Sequence, residues 1–304
     1  MSNFLAFTNY ITLEKKYSKH TILAYSRDLN LFSVFCLNEF GSENIEDCNY
    51  SQIRVWIVFL LDSGLSNRSV NRKLASLKSY YNFLLLSERI EVTPFLKHKA
   101  LRSSKKVQVP FSLNEMEKVL SFRGFKDTFE GSRDKFMIEL FYATGMRKAE
   151  LIGLVLSDVD FSSKTIRVLG KRNKERLIPL SSRLIESLSC YLSVRKTLNN
   201  IKDIDYLFVT KNGAKIYNSL VYRVINLYFS MASSKLKKSP HVIRHTFATH
   251  LINEGADLNS VKELLGHTSL AATQVYIHNS IAKLKDVYAN AHPRNTNKNK
   301  NTNL

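Results

Sequence analysis

From Met1 to about Arg102 apolar residues recur at helical spacing with little interruption. Phe4, Phe7, Tyr10 and Ile11 mark a first helix. After the polar turn Tyr17-Ser18-Lys19-His20, in which Ser18 is a suitable N-cap, Ile22, Tyr25, Leu29, Phe32 and Phe35 predict a second. A polar loop, Gly41 to Asn49, leads to a third helix with the stripe Ile53, Trp56, Ile57, Leu60 and Leu61, and Asp62-Ser63-Gly64 stops it. A fourth begins near Ser66 and turns Val70, Leu74, Leu77, Tyr81, Leu84 and Leu85 inward, with Arg68, Arg72, Lys73 and Lys78 on its more polar side. Pro94 ends helical structure, and the basic, apolar-poor run from Lys97 to Lys106 reads as a linker.

After Pro110 the pattern begins again. Ser112-Leu113-Asn114-Glu115 is a capping-box signature ahead of Met116, Val119 and Leu120. A helix from about Ser132 buries Phe136, Met137, Leu140 and Phe141, stops at Gly145 and gives way at once to another through Leu154. The period then changes from helical to alternating. Thr165 to Leu169 and Glu175 to Pro179, joined by Gly170-Lys171-Arg172-Asn173-Lys174, predict a β-hairpin with a basic tip. Helices resume at Ser181 to Lys196 and Tyr217 to Met231, with the apolar run Leu207-Phe208-Val209 before the latter. The stretch from His241 to Tyr276 reads as three short helices joined by tight turns, and Ile281 to Ala291 as a last helix. The fold class is therefore mostly α with a small β-hairpin or sheet, in two domains. Residues 1–104 form a helical domain with its linker, residues 105–292 form the second domain, and the Asn/Lys-rich tail 293–304 is expected to be disordered.

Composition adds a partner to this picture. The 304 residues suffice for two cores, and 45 Lys and Arg against 26 Asp and Glu give a net charge of +19, which points to a polyanion. The excess is concentrated after residue 102, where 32 basic residues face 17 acidic ones, against 13 and 9 before it. Solubility alone, or a basic surface meeting anionic lipid, would also use such a charge. Cys36, Cys48 and Cys190 are widely spaced, odd in number and in no CxxC pair, so they read as buried free thiols in a reducing compartment. The N-terminus has no basic region ahead of an apolar one, and the run Val55 to Leu61 is too short to span a bilayer. An intracellular, cytoplasmic protein with no membrane partner is expected.

Candidate chemistry lies in residues that a plain core would not choose. Arg147, just after Gly145, can present a planar fork to a phosphate or pair with Glu150 at the helix end. Lys171 at the hairpin tip can approach a polyanion or merely solvate the turn. His241, Arg244 and His245 share a helix face, but the two His have neither the glutamate of HExxH nor a third metal ligand at a familiar spacing. His250 reads as a core or helix-end residue, His267 beyond Gly266 as a possible cap, and Tyr276 alone as a core tyrosine. The basic face of the fourth helix fits either a DNA major groove or solvent.

Taken together, TGMRKAEL, GKRNKERLIPL, HVIRHTFATHL and LLGHTSLAATQVY resemble the motif boxes of the tyrosine recombinases, the phage-integrase family, along nearly the whole chain. The segments LKDVYANAHPR and LSNRSVNRKLASLKSYYNFLL are similar to its Xer subgroup, which resolves chromosome dimers. The resemblance implies a core-binding domain followed by a catalytic domain, with double-stranded DNA as substrate. It implies Tyr276 as the nucleophile forming a 3′-phosphotyrosyl link, Arg147 and Arg244 as the clamp on the non-bridging oxygens, and Lys171 as general acid. His241 would serve as base or proton shuttle, and His267 would hydrogen-bond the phosphate. Two arginines in place of a divalent metal and a covalent link that keeps the bond energy imply no cofactor. The family works as a tetramer on DNA, here a homo-tetramer or one shared with a paralogous recombinase, with a DNA translocase as a possible activator. Ile281 to Ala291 would dock on a neighbour. Thr21, Tyr25, Arg72, Lys78 and Arg172 are candidate DNA contacts. An integrase of a mobile element, a type IB topoisomerase and a non-catalytic architectural DNA-binding protein are the alternatives.

Overall fold

A computed structural model describes residues 4–103, 109–122, 124–170 and 174–266. Contacts divide the chain into two compact units, Met1–Lys106 and Val107–Leu304.

In the first unit α1 (Leu5–Leu13), α2 (Lys19–Phe40), α3 (Tyr50–Asp62) and α4 (Asn67–Leu86) follow the sequence pattern closely. Ser18, Asn49 and Ser66 start the last three by accepting the amides of Thr21, Gln52 and Ser69, donors that a helix leaves without partners. Phe7, Ile11, Leu29, Phe32, Ile53, Trp56, Leu74, Leu77 and Tyr81 make the core, with the Phe32 and Trp56 rings 4.9 Å apart. The Gly41 to Asn49 connection is less polar than its composition: it buries Ile45 and Cys48, and the Tyr81 hydroxyl donates to the Ile45 carbonyl at 2.5 Å.

Three expectations for this unit change. Leu85 is exposed, because the buried stripe of α4 runs through Tyr80, Tyr81 and Leu84, and Leu85 is turned about 100° round the helix from Leu84. Lys73 is buried instead of lying on the polar side, because Asp28 of α2, 1% exposed, accepts from its Nζ at 2.9 Å. Asp28 also accepts from Arg72 Nη1 at 3.0 Å and Ser76 Oγ at 2.9 Å, so one carboxylate joins α2 to α4. The segment from Lys97 to Arg102 is not a free linker. Asn71 of α4 donates to the Leu101 carbonyl and accepts its amide, Asn67 holds the Arg102 carbonyl, and His98 bonds Tyr50.

A buried ammonium that loses its carboxylate partner is expensive. Asp28→Ala is expected to destabilise this unit by about 3–5 kcal/mol through the stranded Lys73, seen as a lower urea midpoint. A midpoint equal to wild type would mean that Lys73 reaches water instead.

The second unit is built around α6 (Phe129–Thr144), buried on nearly every face and packed against α5 (Leu113–Leu120), α8 (Ser182–Lys196) and α10 (Pro240–Asn253). Helix α6 starts one turn earlier than its apolar pattern because Thr128 caps it. The predicted hairpin is β2 (Thr165–Leu169) and β3 (Glu175–Pro179), antiparallel with Val168 opposite Arg176. A two-residue strand, β1 (Val159–Asp160), adds a third member on the β2 side. The other α-helices among the described residues of this unit are α7 (Lys148–Gly153), α9 (Asn218–Ala232) and α11 (Leu258–Leu265). Phe136, Phe141, Ile166, Ile178, Phe208, Phe229, Ile243 and Phe247 share one core. Cys190, on the outer side of α8, is exposed, unlike Cys36 and Cys48. Among the described residues no helix is long and apolar enough to cross a membrane.

Candidate active site

Helix α6 ends where the chain must reverse within two residues. Gly145 takes a left-handed φ of +57°, and a Cβ there would lie 2.3 Å from the buried Phe247 ring, so only glycine fits. The reversal makes Arg147 the N-cap of α7. Its amide donates to Glu150 Oε2 at 2.7 Å and its Nη1 to Glu150 Oε1 at 2.8 Å. The ion pair that competes with a phosphate-binding role for Arg147 is therefore present, yet it leaves the side chain 34% exposed.

Arg244 comes to the same place from α10. Ser239 and Pro240 start that helix, His241 lies exposed in its first turn, and Arg244, one turn on, is buried. Its Nη1 donates to the Gly145 carbonyl and its Nη2 to the Leu265 carbonyl, each at 2.6 Å. Burial and the neighbouring Arg147 guanidinium push its pKa down to about 10, still well above neutrality.

The third wall is the end of α11. Gly266 closes it at φ +64°, and the last carbonyls of a helix are left to find donors outside it. Three successive carbonyls accept from three arginines: Leu264 from Arg176 Nε at 2.9 Å, Leu265 from Arg244, and Gly266 from Arg147 Nη2 at 3.2 Å. The negative end of the helix dipole thus orients the guanidiniums. Arg176 also grips Glu150 with both terminal nitrogens, at 3.1 and 2.7 Å. Burial alone would raise the Glu150 carboxyl, but the bonds from Arg176 and from the Arg147 amide outweigh it and hold the pKa below the usual range. Among the described residues three guanidiniums surround one ionised carboxylate, an excess of positive charge that suits a phosphate diester.

Of the candidate residues, the structure brings Arg147 and Arg244 together and sets His241 one turn from Arg244 on α10. Lys171, Arg172, His267 and Tyr276, the segment from Ile281 to Ala291 and the tail lie outside the described residues. Gly170 and Lys174, which flank the hairpin tip, are joined by a 2.8 Å backbone bond. In the first unit Thr21 sits in the α2 cap, Tyr25 is half-buried one turn before Asp28, and Arg72 is held by Asp28 with its side chain 55% exposed. These three share one region. Lys78, six residues after Arg72, is exposed about 120° round α4. His250 has a structural place: its Nε2 donates to the Phe111 carbonyl at 2.9 Å and its Nδ1 accepts from the Tyr142 hydroxyl at 2.8 Å, while burial lowers its pKa.

Sequence reasoning passed over Arg176. The signal was available: residues 176 and 178 share a face of β3, Ile178 is fully buried, and an arginine on the inward face of a strand needs a buried partner.

The sequence matches the phage integrase family over residues 111–283 and the N-terminal SAM-like domain of phage integrases over residues 4–88. The chain belongs to the phage integrase family. Two members, each a tyrosine recombinase XerC, match almost end to end. That of Oceanobacillus iheyensis is 37% identical over 291 residues, 95% of either chain. That of Bacillus subtilis is 36% identical over 303 residues, 98% of this chain and 99% of its own. The fold is that of the XerH site-specific recombinase bound to palindromic difH substrate in a post-cleavage complex, with a TM-score of 0.70 at 23% identity over 90% of this chain and 81% of that one. As a phage-integrase family member of this kind the protein is a tyrosine recombinase, an enzyme that cleaves and rejoins DNA at specific sites.

Proposed function

We propose that the protein is a Xer-like recombinase that resolves chromosome dimers in the cytoplasm, acting on double-stranded DNA through a 3′-phosphotyrosyl intermediate. The observation that carries the chemistry is the convergence of Arg147 and Arg244 on the end of α11, with charge in excess of what Glu150 neutralises. In this reading the two guanidiniums hold the non-bridging oxygens of one phosphate and stabilise the charge that builds up on them.

In this reading residues 1–104 grip the DNA and residues 105–292 carry the reaction. The Tyr276 oxygen attacks phosphorus and forms the new P–O bond while the bond to the 5′-oxygen breaks. His241 takes the phenolic proton, and Lys171 delivers a proton to the departing 5′-oxygen. His267 hydrogen-bonds the phosphate. The covalent link conserves the bond energy, so the 5′-hydroxyl of another strand reseals the DNA by the reverse step without a nucleotide cofactor. Four protomers assemble on two duplexes, alone or with a paralogue, each docking its 281–291 segment on a neighbour. A DNA translocase is a candidate activator. Thr21, Tyr25, Arg72, Lys78 and Arg172 are candidate DNA contacts.

Nicked duplexes tiling the terminus of the host chromosome test the proposal, with duplexes spanning mobile-element junctions in parallel. A covalent protein–DNA adduct on a terminus duplex, mapped by mass spectrometry to the peptide containing Tyr276, is the expected result. No adduct on any duplex, or an adduct on a different residue, overturns the chemistry; an adduct confined to mobile-element junctions overturns the chromosomal role.

A further inference from the structure

Arg176 has no part in that reaction scheme, yet it touches all three segments that frame the site. Its side chain is only 12% exposed. Each of its side-chain nitrogens is committed to the protein: Nε to the Leu264 carbonyl, and Nη1 and Nη2 to the two Glu150 oxygens. It also lies against two glycines. A Cβ on Gly170, at the base of the hairpin bend, would be 3.5 Å from its Nη1, and one on Gly266 would be 3.2 Å away.

Each of these contacts adjoins a residue of the reaction. Gly170 precedes Lys171, Gly266 precedes His267, and Glu150 holds Arg147. We propose that Arg176 is the positioning residue of the reaction, a rigid three-way tie that sets the hairpin base, the Arg147–Glu150 pair and the end of α11 relative to one another. Its foremost effect is on delivery of the Lys171 proton, because Arg176 sits on β3 itself and the hairpin bend closes two residues before it, at the Gly170 to Lys174 bond. A planar guanidinium does this where an ammonium does not: three donors in one plane fix both direction and distance to two different chain segments. The inference rests on the recombinase reading.

A buried pair that only held the fold together would slow every substrate alike. A tie that aims the general acid has a different signature, because a leaving group that needs no proton bypasses it. The test uses the nicked duplex that gives an adduct with the wild-type protein, made once with the ordinary 5′-bridging oxygen and once with sulfur there, since a thiolate departs without protonation. For Arg176→Lys we expect cleavage of the oxygen duplex to fall about 100-fold, cleavage of the sulfur duplex to fall far less, by about 10-fold at most because Glu150 still holds Arg147, and duplex affinity to be unchanged. Arg176→Gln, which keeps an amide donor for the Leu264 carbonyl, is expected to behave the same way.

Equal losses on both duplexes, wild-type cleavage of both, or failure of both variants to fold by circular dichroism each overturn the proposal. Failure of the underlying recombinase reading looks different: the wild-type protein would then give no adduct on either duplex.

Discussion

Arg244→Ala is expected to lower strand cleavage by about 100- to 1,000-fold, the cost of removing one preorganised donor from a developing oxyanion, while shifting global stability by less than about 2 kcal/mol. The two effects separate because the folded protein holds this charge at a cost. Burial and Arg147 push the guanidinium from 12.5 down to about 10, which corresponds to a penalty on the order of 3 kcal/mol in the charged form. Truncation removes that penalty and forfeits the bonds to the Gly145 and Leu265 carbonyls, worth about 1–3 kcal/mol each where buried acceptors are stranded. The terms largely cancel in stability and do not cancel in catalysis. Arg244→Lys keeps the charge but cannot span two carbonyls and a phosphate with one planar fork, so its cleavage is expected to fall nearly as far. Single-turnover cleavage and urea unfolding of the same preparations decide the matter. Cleavage retained in Arg244→Lys, or lost activity that merely follows lost stability, would remove Arg244 from the phosphate site.

The same residues show how far the chain could be read before its structure. The caps at Ser18 and Ser112, the helix start near Ser66 and the stop at Gly145 are local devices, each written within three or four residues, and all four stand where the sequence pattern put them. The hairpin was equally legible, because alternation and a glycine turn are local too. Partnerships across the chain were not. Lys73 looked like part of a solvated face because Asp28, 45 residues away, carries no local mark of being buried. Arg147 could be assigned either to Glu150 or to a phosphate from sequence, and the structure shows the first: the carboxylate takes Nη1 and the Gly266 carbonyl takes Nη2, with part of the side chain left exposed for the proposed phosphate. The resemblance in the motif boxes supplied Arg147 and Arg244 as a pair. Spacing alone had no means of bringing residues 97 positions apart onto one helix end.

Glu150 is where stability and function are coupled, in contrast to Arg244. Glu150→Ala is expected to destabilise the second unit by about 3–5 kcal/mol, since it leaves three guanidiniums facing one another with the carboxylate removed. It also deletes the acceptor that caps α7 at the Arg147 amide, worth about 1 kcal/mol by itself. Glu150→Gln keeps the shape and one acceptor, so the loss should be smaller, about 1–3 kcal/mol at neutral pH. The pH dependence separates charge from shape. The Glu150 carboxyl is depressed in the folded protein relative to its ordinary 4.5, so its contribution is fully present above that value and is lost as pH falls through the lower folded pKa. The stability gap between wild type and Glu150→Gln should therefore be constant from pH 7 to about 5 and narrow on further acidification, measured by urea unfolding at a series of pH values. Because Arg147 loses its aim in both variants, cleavage should fall in both even where nonspecific DNA binding is kept by the added positive charge. A gap that stays constant down to pH 3 would show that the pair acts through packing alone, and that the excess charge at the end of α11 is not balanced through Glu150.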